Sequence, residues 1–69
     1  LTFRYTDADG DSLEVRTIRR FGQSAISVRV HRPDIPGADA AVHIPLDRVE
    51  ELIAGIRDTA RQAAQEEQQ

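Results

Sequence analysis

Five arginines and no acidic residue lie between Val15 and Pro33, namely Arg16, Arg19, Arg20, Arg29 and Arg32. The rest of the 69-residue chain carries four arginines against twelve acids. A guanidinium presents a planar fork of N–H donors that fits phosphate or carboxylate oxygens. A cluster of them, free of acids within its own stretch, points to an anionic partner. Phe21 follows Arg19 and Arg20 directly, and an aromatic ring among arginines suits stacking on unpaired bases. The net charge is −3, so a polyanion can approach only if the remaining acids lie elsewhere.

Other chemistry is poorly served. His31 and His43 fall on one outward face in the register derived below, on neighbouring strands and close together. With Asp34 or Asp39 nearby they could begin a zinc or nickel site, but a stable site takes three or four ligands and no dedicated third is present. Solvent-facing histidines are the expected reading, with no metal. Asp7-Ala8-Asp9-Gly10-Asp11 is similar to the start of a calcium loop. An EF-hand needs glycine at the sixth position and glutamate at the twelfth, whereas here Gly10 is fourth and Ile18 twelfth. A hairpin loop of turn-forming aspartates accounts for it better. There is no cysteine, and Ser12, Ser24 and Ser27 stand in no nucleophile elbow or triad setting. No glycine-rich loop precedes a helix to cradle a phosphate. These observations predict a binding module without a cofactor, not an enzyme.

The elements that must position the arginines are legible from alternation. Leu1, Phe3 and Tyr5 alternate with polar residues, as do Leu13, Val15 and Thr17, then Ile26, Val28 and Val30, then Val42 and Ile44. Turns are expected at Asp7–Asp11, at Arg20-Phe21-Gly22-Gln23, and at Arg32–Asp39, where Pro36-Gly37 suits a type II turn. One antiparallel register serves all four strands. It places Tyr5, Leu13, Val30 and Val42 in one inward row, and Phe3, Val15, Val28 and Ile44 in the next. Leu1, Thr17, Ile26 and Leu46 form a third. The outward face then carries Arg4, Glu14, Arg29 and His43 in a row. A one-residue slip would turn every apolar row outward, whereas the loop before the last strand leaves that strand free to shift by two.

A helix follows. Asp47 and Glu50 fit a capping box, and Val49, Leu52, Ile53, Ile56, Ala60 and Ala63 share one face at 3.6-residue spacing. That stripe is expected to cover the apolar face of the sheet. Gly55, unfavourable in a helix interior, suggests a close backbone approach. The predicted fold is α+β, a four-stranded antiparallel β-meander packed against one C-terminal amphipathic helix, ββββα. It forms a single domain over residues 1–62, with a frayed polar tail at 63–69. So small a core predicts a homodimer, with Ile18 and Ile35 left over as interface candidates. No apolar run is long enough to span a bilayer and nothing is similar to a signal peptide, which predicts no membrane partner and a cytoplasmic protein.

Leu13-Glu14-Val15-Arg16, the turn near Phe21-Gly22, Ile26-Ser27-Val28-Arg29, the Pro/Asp/Gly loop, and Val42-His43-Ile44 before a helix together resemble the single-stranded-DNA-binding transcriptional coactivator domain. The likeness covers roughly residues 12 to 60. It implies a curved sheet, helices that help form a dimer, and nucleic-acid contacts at Arg16, Arg19, Arg20, Phe21 and Arg29. The chain departs from that family in having no lysine among its 69 residues and Val49 where the family's helix usually carries an aromatic. Two functions are therefore expected in turn. One is binding of single-stranded nucleic acid through an arginine-rich sheet face. The other is an adaptor or regulator whose basic face meets an acidic protein partner.

Overall fold

The computed structural model describes residues 1–68. Four strands run β1 (Thr2–Thr6), β2 (Ser12–Arg20), β3 (Gln23–His31) and β4 (Ala40–Pro45), followed by a 3₁₀ turn over Leu46–Arg48 and helix α1 (Val49–Glu67). The sheet is antiparallel in the order β1-β2-β3-β4, the meander that short connections favour. Among the described residues, no helix is long and apolar enough to cross a membrane.

Phe3 pairs with Val15 and Tyr5 with Leu13, and these continue to Val28 and Val30, as the alternation predicts. β4 takes the two-residue shift. Val42 lies opposite Val28 and Ile44 opposite Ile26. The shift keeps both apolar residues on the apolar face, which is why periodicity alone does not exclude it. The eight residues between β3 and β4 absorb it in two turns, with Ile35 N–H donating to Arg32 O at 3.1 Å and Ala38 N–H to Ile35 O at 3.1 Å. Gly37 sits at φ 77°, the positive angle that a type II turn after Pro36 requires.

The first loop is tied by its own aspartate. Asp7 Oδ1 accepts from the backbone N–H of Asp9 at 2.9 Å and of Asp11 at 3.1 Å, an Asx turn that occupies the carboxylate with backbone donors. The β2–β3 turn is tighter, with only Phe21 and Gly22 between the paired Arg20 and Gln23.

The helix departs from expectation in three ways. Asp47 makes no capping bond: the helix is entered through the 3₁₀ turn, and no side chain caps either segment. Pro45 fixes the chain extended just before the turn, which moves the entry away from Asp47. The helix also runs on to Glu67, past Gln62 where the apolar stripe ends. Alanine, glutamine and glutamate are strong helix formers, and Gln62 donates to Glu66 one turn on. Of the tail, Gln69 lies outside the described residues. Lastly, α1 does not close over the sheet. Val49 is half-buried and every later described residue of α1 is exposed. Nothing lies within 4 Å of where a Gly55 side chain would begin, so that glycine answers to no close approach within the chain.

The consequence for packing is large. No hydrophobic residue is buried, among the described residues, and the single buried one is Ser27. Phe3, Tyr5 and Val42 are 62, 60 and 64% exposed. Between β4 and the helix lies an open apolar cleft of about 840 Å³, walled by Val42 and Ile44 on one side and Leu52 and Ile56 on the other.

Candidate functional site

Because side chains alternate along a strand, the face opposite the apolar rows is set by the same register. Thr2, Arg16, Ser27 and His43 form one outward row, and Arg4, Glu14, Arg29 and Ala41 the next. His43 thus lies beside Ser27 and not in the Arg4–Glu14–Arg29 row expected from alternation. The shift also parts the two histidines. His31 lies four residues beyond Ser27, the partner of His43, which is about 13 Å along the strand. His31 is engaged by Asp39, its Nδ1 lying 2.8 Å from Oδ1. No group of three His, Cys, Asp or Glu among the described residues is placed to hold a metal.

Four arginines share the polar face: Arg4, Arg16, Arg20 and Arg29. Only Glu14 among the carboxylates is borne by the strands themselves. Arg4 donates to Glu14 Oε2 at 2.5 Å, and Arg16 lies 4.0 Å from Glu14 Oε1. The hydrogen bond from Arg4 holds the Glu14 carboxyl below the usual range, with the charges of Arg4, Arg16 and Arg29 acting in the same direction against partial desolvation. Asp39 is lowered likewise, chiefly by its bond to His31. Glu14 therefore stays charged and ties Arg4. Arg20 and Arg29 have no carboxylate within ion-pair distance among the described residues, so their donors can be offered to an incoming anion without breaking a pair.

The sheet is polarised along its strands. Asp7, Asp9 and Asp11 of the first loop and Asp34 and Asp39 of the third gather at the end where β1 and β3 finish. Arg32, from the basic stretch, belongs to that end and reaches Asp11 Oδ2 at 3.3 Å. At the opposite end the β2–β3 hairpin brings Arg19, Arg20 and Phe21 together. Arg19 falls on the apolar side by parity, opposite Ser24, and its guanidinium donates to the Gly22 carbonyl at 2.8 Å. It braces the turn and does not join Arg16, Arg20 and Arg29. Strict alternation from Val15 already implies this, although the density of arginines hides it.

Phe21 is the most distinctive residue of the site. It is 94% exposed and adopts φ 51°, followed by Gly22 at φ 75°. Two successive positive angles in a two-residue hairpin loop are the type I′ pattern, which Asn-Gly ordinarily fills. A phenylalanine there carries strain of about 1–3 kcal/mol. The guanidinium of Arg20 lies over its ring, 5.4 Å from the centroid, and also donates to His43 Nδ1. Arg20, Phe21 and His43, with Gln23, Ser24 and Pro45, line a shallow recess of about 310 Å³.

Set beside protein-family models, curated proteins and solved structures, the chain matches none of them.

Proposed function

We propose that the polar sheet face binds single-stranded nucleic acid, with Phe21 as the stacking platform and Arg16, Arg20 and Arg29 as phosphate contacts. The observation that supports it most is the hairpin tip. A ring fully open to solvent, held at a backbone angle that disfavours it, is bracketed by an arginine already poised over its face. An exposed π-face beside unpaired guanidinium groups offers both halves of single-strand recognition, base stacking and backbone neutralisation. The acids that would repel a polyanion gather at the far end of the sheet and along the helix. Two carboxylates reach the face, Glu14 and Asp39, and each is paired there, with Arg4 and His31 respectively.

The test is fluorescence anisotropy with a short labelled thymidylate strand at about 50 and 200 mM salt, since each phosphate contact adds a slope of about −0.7 in log affinity against log salt. Arg16→Ala/Arg29→Ala should weaken binding and flatten the salt dependence by about two contacts' worth. Phe21→Asn should weaken binding while keeping the slope, because asparagine suits the turn and only the ring is lost. No binding at the lower salt, or binding indifferent to these changes, rejects the reading in favour of an acidic protein partner.

A further inference from the structure

We infer that the open apolar face is closed by a second copy of this chain, the helix α1 of each protomer lying across the sheet of the other. The two halves of an unfinished core are both present in one chain. The sheet offers Phe3, Tyr5, Val30 and Val42 without a covering layer, and α1 offers Leu52, Ile53 and Ile56 without a floor. A two-fold axis lets each copy supply what the other lacks, the self-complementary arrangement of an isologous dimer.

The exposed area has the right size for this. A folded monomer of 7.7 kDa ordinarily exposes about 4,300 Å², yet this chain exposes 5878 Å². The surplus of about 1,500 Å² per chain gives a buried total near 3,000 Å², within the range of obligate homodimers. Closure by the chain's own helix fits the connection poorly: β4 passes into α1 through one 3₁₀ turn, leaving no loop to swing the helix over. Gly55 supports the same conclusion. It faces the cleft with open space above it, the kind of gap that a partner's side chain fills.

Sedimentation equilibrium of the full chain should give twice the monomer mass, with Tm rising roughly 5 °C per tenfold increase in concentration. Ile56→Glu and Val42→Glu, on opposite walls of the cleft, should each weaken association at least tenfold. Ile35→Ser, in the loop between β3 and β4 and outside the cleft, should leave it unchanged, so the interface proposed here replaces the one that the sequence suggests at Ile35. A monomer with a sharp, concentration-independent melt overturns the inference. In that case, loss of stability in Ile56→Glu assigns the face to the chain's own helix, and no loss assigns it to a different protein. A dimer indifferent to both glutamates, or an assembly larger than a dimer, also overturns it. If either glutamate variant fails to fold, the concentration dependence of the unaltered chain decides alone.

Discussion

The two faces of the sheet share every strand and every backbone hydrogen bond, yet one is finished within the chain and the other is not. On the polar face Arg4 reaches Glu14 on the next strand and Arg20 reaches His43 two strands away, and Ser27, flanked by Arg16 and His43, is only 4% exposed. Arginine stems cover surface while their heads stay wet. On the apolar face Leu13, Val15, Ile26, Val28 and Ile44 are only half-buried, and Phe3, Tyr5, Val30 and Val42 stay exposed. Apolar side chains on a sheet need a second layer, and polar ones of sufficient length do not. Among the described residues, the one buried side chain lies on the face with the fewest hydrophobic groups.

The sharpest way to break the contrast is to put the same charge on each face. Val28→Asp, at the centre of the apolar rows, should cost about 3 kcal/mol in urea unfolding, because an unpaired carboxylate then sits among apolar groups. Ala41→Asp, opposite Arg29 on the other face, should change stability by less than about 0.5 kcal/mol. Equal costs would mean that the two faces are equally wet. Smaller in effect is overfilling the one shielded position. Ser27→Leu should cost about 1–3 kcal/mol, read in the same unfolding experiment, and a neutral result would show that the arginine canopy is loose. The smallest effect is electrostatic. Glu14 has a lowered pKa in the folded chain, so its contribution to stability is full above the usual glutamate range and is lost as pH falls through the lowered value. In Glu14→Gln the fall of Tm with acid should be shallower than in the unaltered chain, and identical profiles would remove Glu14 from the account.

How far the sequence is legible differs from element to element. Alternation fixes which side chains share a face, and short loops fix the pairing of β1, β2 and β3. β4 follows eight loop residues, and Val42-His43-Ile44 reads equally well two places along, so the neighbours of His43 could not be read. That single ambiguity produced the apparent histidine pair. The capping box failed for a local reason, since Pro45 and a 3₁₀ turn carry the chain into the helix. The stripe on α1 was plain, but amphipathicity says only that a face is to be covered, not by which molecule. Arg19 is a different case: parity from Val15 places it on the apolar side, opposite Ser24, and the density of arginines around it masks that. The Phe21–Gly22 turn was legible from its glycine. That Phe21 itself takes the left-handed angle was not, since none of the residues that signal it occupies that place.

The backbone angle of Phe21 also bears on how fast the chain folds. Its strain exists only once the β2–β3 turn is made, and β2–β3, closed by two residues, is the most local pairing in the sheet. Local contacts form early on the route to the native state. Strain in a structure already present at the folding barrier slows folding without hastening unfolding, by about fivefold for each 1 kcal/mol. The exposed ring and the rate at which the meander assembles are therefore governed by the same residue.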